Sequence, residues 1–331
     1  RAPRARMVAL GAYVPERVVT NAELEERIDT SDEWIRTRTG IRERRFAAPS
    51  QASSDLGIVA AERVLADAGI AAAELDMLIV PTSTPDHLLP STAAIVADGI
   101  GAGNAAAFDL LAACSGFVYG LAQATAMIES GLARSVMVLG TETFSRILDF
   151  EDRSTCILFG DAAAGALLVA DGTGEARGFL GFDLGADGTG ADDLVVPAGG
   201  SRLPSHELSR REDAFLHMEG REVFRFATRV MEESTSRLLD ALDLPVDDID
   251  VLVPHQANVR IIDHAVARLG IDPERVFSNL DRYGNTSAAS IPLALAEARD
   301  EGMLRPSALV LMVGFGAGLT WGSAVGHWEP R

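Results

Sequence analysis

The residue with the clearest chemical potential is Cys114, in the segment AACSGF (112–117), where an apolar strand pattern passes into a helix pattern. A thiol at the N-terminus of a helix can act as a nucleophile, because the partial positive charge and the free N–H groups there lower its pKa. A buried structural cysteine is the alternative, since a free thiol packs as a small hydrophobic group. The segment alone leaves both interpretations open.

Two further polar residues follow apolar strand patterns. His255 comes directly after DIDVLVP, and Asn285 stands in RYGNTSAAS, before a helix pattern. Taken separately, each is typical of a turn or a helix cap. Because active sites of α/β folds form at the carboxyl ends of strands, a cysteine, a histidine and an asparagine at three such ends indicate one catalytic site.

The glycine-rich segment GFGAGLTWG (314–322) resembles a nucleotide-binding loop at first sight. Its spacing is G-x-G-x-G, whereas a dinucleotide-binding loop has G-x-G-x-x-G and opens a helix. Here the following residues, LTWGSAV, continue as a strand pattern. We therefore expect a hairpin whose glycines let backbone N–H groups approach a reacting carbonyl.

Composition excludes several classes of protein. The 331 residues carry a net charge of −19, which disfavours nucleic acid as a partner. The sequence contains no lysine, which excludes Schiff-base aldolases, pyridoxal-phosphate enzymes and P-loop NTPases. The six histidines show no metal-ligand spacing, so we expect no metal.

The apolar runs and the cysteines indicate the cellular compartment in which the protein is found. No apolar run approaches the ~20 residues of a membrane span, and the first residues lack the apolar stretch of a signal peptide. Two cysteines without a secretory signal are typical of a reducing environment. We expect a cytoplasmic protein that contacts no membrane.

An internal repeat divides the chain. Residues 65–80 resemble residues 238–253, with Leu65 matching Leu239, and VMVLG at 136 matches VLMVG at 310 with the same offset of 174. Helix patterns alternate with short apolar runs in both parts, which predicts βαβ units and largely parallel, buried strands. We predict two related halves, residues 1–172 with the cysteine and residues 173–331 with the histidine and asparagine.

Several long motifs carry a family resemblance: NAELEERIDTSDEWIRTRTGIRERR, FDLLAACSGF, LFGDAAAGA, VPHQANVRIID, GNTSAAS and GFGAGLTWGSA. In these motifs the chain is similar, nearly end to end, to the β-ketoacyl-acyl-carrier-protein synthase III family of thiolase-fold condensing enzymes. The resemblance implies a thiolase-like fold, with two duplicated α/β halves in a five-layer αβαβα arrangement, and a homodimer. It also implies that the second cysteine, Cys156, is a buried strand residue.

The resemblance implies a reaction as well. Cys114 would take an acyl group from acyl-CoA, and His255 and Asn285 would stabilise the enolate that forms when malonyl-acyl-carrier protein loses CO2. The acyl group would then move to that carbanion, giving a β-ketoacyl-carrier protein and initiating fatty-acid synthesis. The N–H groups of Cys114 and Ala317 would form the oxyanion hole. No cofactor is expected besides the substrate CoA.

Three further sets of residues follow from the same resemblance. The CoA site would comprise Thr30, Trp34, Arg38, Arg153, Gly220 and Asn258. The acyl pocket would comprise Leu89, Phe159 and Phe315, with Leu89 reaching across the dimer from a position where acetyl-preferring relatives commonly have phenylalanine. The residues that bind the carrier protein would be Arg225, Arg260 and Arg268.

Alternatives stay open at this point. A priming ketosynthase that selects the starter unit of an aromatic polyketide would use the same chemistry. A degradative thiolase needs a second cysteine near the C-terminal glycines, and GFGAGLTWG has none. A non-catalytic module that binds a carrier protein is the remaining alternative, and the complete Cys–His–Asn set opposes it.

Overall fold

Strands and helices alternate along the chain in a computed structural model that describes residues 4–172, 174 and 177–330. The strands are β1 (Arg4–Tyr13), β2 (Arg17–Thr20), β3 (Glu43–Phe46), β4 (Met77–Pro81), β5 (Ala106–Leu110), β6 (Ser135–Glu142), β7 (Ala162–Asp171), β8 (Phe179–Ala186), β9 (Leu194–Val195), β10 (His217–Met218), β11 (Val251–Pro254), β12 (Leu309–Gly316) and β13 (Thr320–His327). The helices are α1 (Asn21–Glu25), α2 (Asp32–Thr39), α3 (Ser53–Ala68), α4 (Thr92–Gly99), α5 (Gly116–Glu129), α6 (Gly220–Ala241), α7 (Val259–Leu269), α8 (Leu280–Tyr283) and α9 (Ser290–Asp300). Within the described ranges, no helix has the length and apolar composition of a membrane span.

Two mixed sheets form the frame. The first has the strand order β1-β7-β6-β4-β5, and the second has the order β11-β12-β13-β8. Strand β4 runs parallel to β5 and β6, and β11 runs parallel to β12, whereas β7, β13 and β8 pair antiparallel. The prediction of largely parallel strands is therefore wrong for β1, β7, β8 and β13, which pair antiparallel. The reason is local for β13, because its three-residue connection to β12 is long enough only for a hairpin.

Helices cover both faces of each sheet, which gives five layers. Helices α3 and α4 pack outside the first sheet, α5 and α9 lie between the sheets, and α6 and α7 pack outside the second. Successive side chains of a strand point to opposite faces. Accordingly, Leu78 of β4 lies in the outer core and Ile79 in the central core. In β12, Leu311 faces outward and Met312 faces the central layer.

The duplication is visible in hydrogen bonds. Asp76 Oδ2 accepts from the N–H of Ser135 at 3.2 Å, and Asp250 Oδ2 accepts from the N–H of Leu309 at 2.7 Å. Both pairs are related by the offset of 174 found in the sequence. The predicted division after residue 172 stays a prediction. It falls in the connection between the two sheets, and residue 173 itself lies outside the described residues.

The same offset relates two short 3-10 turns, residues 113–115 and 287–289, which lead into the two central helices. Each begins with a non-glycine residue in the left-handed region, Ala113 at φ 45° and Ser287 at φ 48°. A left-handed alanine or serine is uncommon, because its Cβ crowds the backbone there. Left-handed residues at equivalent positions show that both halves use the same strained turn geometry.

In each half, a central strand of the sheet packs against the short 3-10 turn of the other half. A Cβ on Gly140 of β6 would lie 2.4 Å from the carbonyl oxygen of Ala288, and one on Gly314 of β12 would lie 3.1 Å from that of Cys114. Gly140 and Gly314 are equivalent by the repeat, as are Ala288 and Cys114. The turn with the cysteine and its counterpart therefore meet at the centre of the molecule.

We predict that Gly140→Ala lowers the free energy of unfolding by about 1–3 kcal/mol, because the added methyl group has no room beside the backbone of the 287–289 turn. Urea denaturation measures the change. Gly103→Ala is the matched control, since a Cβ at Gly103 meets no atom within 4 Å. Equal stability of the two variants would contradict the close approach.

Candidate active site

Cys114 lies in the turn before α5 and is almost fully buried, with 5% of its surface exposed. Its thiol donates a hydrogen bond to Ser287 Oγ at 3.3 Å. Two cavities meet at the residue, one of about 90 Å³ that His255 and Asn285 also border, and one of about 380 Å³. The structure thus brings the three predicted residues to one cavity.

The predicted effect of the helix N-terminus on the thiol does not dominate. Burial raises the pKa of Cys114 to about 12, and the hydrogen bond to Ser287 lowers it by less than burial raises it. Enclosure by apolar side chains removes the water that would solvate a thiolate. The cysteine is therefore a protonated thiol near neutral pH, and its reaction as a nucleophile requires a group that takes the proton.

His255 comes directly after β11 and is 1% exposed. Its Nδ1 is 2.7 Å from Ser290 Oγ, and its buried Nε2 has no hydrogen-bond partner among the residues that the structure describes. Ser290 Oγ also accepts from the N–H of Gln256 at 3.4 Å, so its own proton is free for Nδ1. With Ser290 as the donor to Nδ1, the ring proton lies on Nε2. Burial lowers the pKa of His255 to about 3, which keeps the ring neutral.

Asn285 is fixed on both its backbone and its side chain. Its N–H donates to Leu158 and its C=O accepts from Gly160, at 2.8 and 3.0 Å. Its Oδ1 accepts from the N–H of Ser287 at 2.8 Å. Because the oxygen is engaged, the Nδ2 amide is the group left to donate. Asn285 and His255 therefore supply two neutral donors to the cavity that Cys114 borders, an arrangement that stabilises a developing oxyanion.

The larger cavity, on the other side of Cys114, is mainly apolar. It is lined by Phe144, Ile147, Phe159, Leu194, Val195, Val196 and Leu216, together with Leu111, Ala317 and Gly318. Phe159 borders both cavities, whereas Phe315 borders the smaller one and packs its ring 5.3 Å from that of His255. Leu89 borders neither cavity, and 86% of its surface is exposed.

Of the predicted CoA residues, three form a cluster at α2. The guanidinium carbon of Arg153 lies 5.3 Å from the centre of the Trp34 ring, and that of Arg38 lies 5.7 Å from it. Gly220 and Asn258 border the smaller cavity with Cys114. The remaining residue is Thr30, whose buried Oγ1 has no hydrogen-bond partner.

The three predicted docking arginines differ in their partners. Arg225 forms an ion pair with Glu222 on the same helix. Arg268 binds both carboxylate oxygens of Glu232, at 3.0 and 2.8 Å. Arg260 is exposed, and within the described part of the chain it forms no ion pair.

Several site residues escaped the sequence analysis. Ser287 and Ser290 were recognised only as part of the motif GNTSAAS, which does not reveal that one hydroxyl faces the thiol and the other the imidazole. Cys156 is fully buried as predicted, but it lies in a turn before β7 and not in a strand. Its place in the hydrophobic core agrees with a packing role.

We predict a pH-dependent contribution of His255 to stability. The unfolded chain protonates this histidine below about pH 6.5 and the folded chain does not, so its contribution falls as the pH falls. The difference in unfolding free energy between the wild type and His255→Gln should shift by about 2 kcal/mol against the wild type between about pH 7.5 and about pH 5. Urea titrations measure it, and a pH-independent difference would contradict the neutral, buried ring.

Comparison with known proteins gives consistent results. Residues 108–188 match the family model of 3-oxoacyl-(acyl-carrier-protein) synthase III, and residues 239–328 match its C-terminal model. The chain is 54% identical to the β-ketoacyl-(acyl-carrier-protein) synthase III of Symbiobacterium thermophilum over 97% of each chain.

Solved structures agree on the fold. The synthase III of Thermus thermophilus is 51% identical over 98% of this chain and 100% of its own, with a TM-score of 0.92. A priming β-ketosynthase from a polyketide biosynthetic pathway is 36% identical over 100% of this chain and 99% of its own, also with a TM-score of 0.92. The predicted thiolase-like fold is confirmed.

Proposed function

The chain belongs to the 3-oxoacyl-(acyl-carrier-protein) synthase III family, and on that premise we propose that Cys114, His255 and Asn285 carry out its reaction. The protein is a condensing acyltransferase that joins an acyl-CoA primer to malonyl-acyl-carrier protein with loss of CO2 and initiates fatty-acid synthesis. One observation carries the assignment of roles: the thiol and two neutral donors border the same cavity.

In the first step the Cys114 sulfur attacks the thioester carbonyl of acyl-CoA, and CoA leaves. The backbone N–H groups of Cys114 and Ala317, which both border the larger cavity, stabilise the oxyanion. The acyl chain then occupies that cavity, because its aliphatic and aromatic walls exclude water from an apolar chain. The acyl group remains on the sulfur until the second substrate arrives.

In the second step malonyl-acyl-carrier protein enters the smaller cavity. His255 Nε2 and Asn285 Nδ2 donate to its thioester oxygen, which gains charge as CO2 leaves. Their neutrality matters, because a buried cation would bind the malonyl carboxylate and stabilise the ground state as well as the transition state. The resulting carbanion attacks the acyl carbonyl on Cys114 and forms the new carbon–carbon bond.

CoA enters along the Trp34 cluster. The indole face and the guanidinium of Arg153 can hold the flat adenine ring between them by stacking and cation–π attraction. Arg153 now lies against the indole itself and donates to the carbonyl of Asp29 at 2.7 Å. Binding of adenine therefore requires Arg153 to move aside. Thr30, Arg38, Gly220 and Asn258 complete the route to Cys114.

An acidic carrier protein needs a basic surface on a protein whose net charge is −19. Arg260, at the start of α7, is two residues from Asn258, which borders the smaller cavity, and it has no competing carboxylate in the described chain. Arg225 and Arg268 share their charge with Glu222 and Glu232, so we assign Arg260 the larger part in docking.

The working form is a homodimer in this proposal. Strand β5 is the open edge of the first sheet. The adjoining residues Leu88, Leu89 and Leu111 are exposed to 81, 86 and 79%, and such an apolar patch favours association. Asp109 of β5 binds the N–H groups of Thr92 and Ala93 at 2.8 and 2.7 Å, which fixes the Leu89 loop beside that edge. A second copy at this edge would bring its Leu89 to the mouth of the acyl cavity.

The alternatives lose support. A non-catalytic module would not need the fixed donors at His255 and Asn285. Polyketide priming is not favoured, since synthase III relatives are about 50% identical and the priming ketosynthase is 36% identical. Both cysteines are free thiols, which supports our proposal of a cytoplasmic location.

The roles proposed for the three site residues predict that different variants lose different steps of the reaction. Cys114→Ala should carry no acyl group after incubation with acyl-CoA, whereas Cys156→Ala should carry it normally, as intact-protein mass spectrometry will show. His255→Ala and Asn285→Ala should still be acylated but should decarboxylate malonyl-carrier protein ~10²–10³-fold more slowly. Equal loss of both steps in these two variants would contradict their role at the enolate.

Docking gives a second prediction. Arg260→Glu should raise KM for malonyl-acyl-carrier protein with little change in kcat, and should weaken the salt dependence of KM. Arg305→Glu, at another exposed arginine, is the matched control. An unchanged KM for Arg260→Glu at low salt would remove this residue from the docking surface.

The acyl pocket gives a third prediction. Leucine is shorter than phenylalanine, so a Leu89 that closes the partner's pocket leaves room for propionyl, butyryl or branched primers. These should react at least as fast as acetyl-CoA, with a graded preference because one methylene is worth ~1–3 kcal/mol. Leu89→Phe should restore a preference for acetyl, and Leu132→Phe, at another exposed leucine, should not. A wild type that favours acetyl over four-carbon groups by about tenfold or more would contradict this.

A further inference from the structure

Glu142, the last residue of β6, is a buried carboxylate that the two steps above do not use. It has no exposed surface. Its oxygens accept from the N–H of Ser83 at 3.0 and 3.2 Å and from Thr84 Oγ1 at 2.7 Å, and from the N–H of Ala288 in the other half at 3.4 Å. These partners are all neutral, and among the described residues no cationic side chain forms an ion pair with Glu142.

Ser287 connects this carboxylate to the nucleophile. Its Oγ accepts the hydrogen bond of the Cys114 thiol at 3.3 Å. The N–H of the next residue, Ala288, donates to Glu142, and the Ser287 side chain lowers the pKa of Glu142, so the hydroxyl lies beside the carboxylate. Because the oxygen accepts from the sulfur, the hydroxyl proton of Ser287 is free for the carboxylate. Sulfur, hydroxyl and carboxylate thus form a line along which a proton can pass.

We propose that this line carries the Cys114 proton: Ser287 accepts it during acylation and passes its own proton to Glu142. The inference rests on the proposed role of Cys114 as the acyl acceptor. Ser287 contacts the reacting sulfur and is a catalytic residue. Glu142 acts only through Ser287 and is a positioning residue that holds the proton.

The acylation step balances as follows. The S–H bond of Cys114 breaks while the sulfur forms its bond to the acyl carbon, and Glu142 becomes a neutral carboxylic acid. The C–S bond to CoA then breaks, and the CoA thiolate takes a proton from solvent. The proton of the cysteine remains on the enzyme.

Condensation returns that proton. The carbanion attacks the acyl carbon, the bond to sulfur breaks, and the sulfur leaves with the electron pair. Glu142 gives its proton back through Ser287, which restores the thiol and the carboxylate. One solvent proton is consumed per cycle, as the conversion of acyl-CoA and a malonyl carboxylate into CoA thiol, CO2 and a neutral β-keto product requires.

The charges around the line support this direction of transfer. Burial raises the pKa of Glu142 to about 7, which makes it a stronger base than an exposed glutamate. His255 is a poor base in comparison, because burial lowers its pKa to about 3. In the described structure, neither the 82–84 loop nor the 287–289 turn brings a titratable side chain to Glu142. Cys114 is the titratable neighbour that its charge affects.

Asp161 is a comparable buried carboxylate. It precedes Ala162, which pairs with Glu142 across β6 and β7. Its oxygens accept from the N–H groups of Ala47 and Ser145, both at 2.8 Å, so they face away from the line. It is fully buried and burial raises its pKa, as for Glu142. Asp161→Asn therefore makes the same chemical change outside the line.

The test is single-turnover acylation of the full chain by acyl-CoA without carrier protein. Glu142→Gln and Ser287→Ala should each slow the acylation of Cys114 by about 10²-fold, the effect of losing a general base. The double variant should be no slower than either single variant, because the two residues act as a unit. Asp161→Asn should stay within about threefold of the wild type.

The pH profile separates proton transfer from a structural effect. Wild-type acylation should rise as the pH increases through about 7, where Glu142 loses its proton, and Glu142→Gln should lack that rise. Alkylation of Cys114 by iodoacetamide should show the same two profiles without acyl-CoA. If Glu142→Gln fails to fold by circular dichroism, Ser287→Ala decides the question, since it removes only one oxygen atom.

The outcomes are distinguishable. If the wild type carries no acyl group on Cys114, the proposed function itself is contradicted. The rate of iodoacetamide alkylation then still shows whether Ser287 and Glu142 take the proton of Cys114. The relay is overturned if the wild type carries the acyl group and both variants react within about threefold of it. It is also overturned if slow variants keep the wild-type pH profile, which would reveal a structural contribution alone.

Discussion

The active site depends on the contact between two equivalent turns. Each half of the chain packs a glycine of its central strand, Gly140 or Gly314, against the turn that begins the central helix of the other half. A side chain does not fit at Gly140 and would be crowded at Gly314, so the backbones approach closely and the two turns lie side by side. This contact brings the Cys114 thiol to 3.3 Å from Ser287, a residue 173 positions away in the sequence.

The two halves keep the same framework but contribute different chemistry. By the repeat, Cys114 corresponds to Ala288, His255 to Pro81 and Asn285 to Leu111. In our proposal the first half thus supplies the nucleophile and the apolar mouth of the acyl cavity, and the second half supplies the polar donors. All of these donors are neutral, which suits a buried site where charge appears only as the reaction proceeds. Glu142, whose charge affects the thiol, is held by neutral donors from both halves.

Sequence patterns predicted much of this arrangement. The repeat predicted two α/β halves, and strand ends predicted that Cys114, His255 and Asn285 would lie together. The pKa of the thiol could not be predicted, because it depends on how completely the cavities exclude water. Ser287 and Glu142 could not be predicted either, since their contacts form only where the two halves meet. The antiparallel strands were missed because an apolar run does not reveal the direction of its neighbour.

In our proposal, one acyl group passes through Cys114, where the two turns meet, in every catalytic cycle. Rapid-quench analysis of the wild type, with peptide mapping of the bound acyl group, follows this acyl group over time. We expect acyl-Cys114 to form in step with CoA release and then to disappear in step with the formation of CO2 and β-ketoacyl-carrier protein. If the product accumulates faster than the acyl group leaves Cys114, this proposal is contradicted.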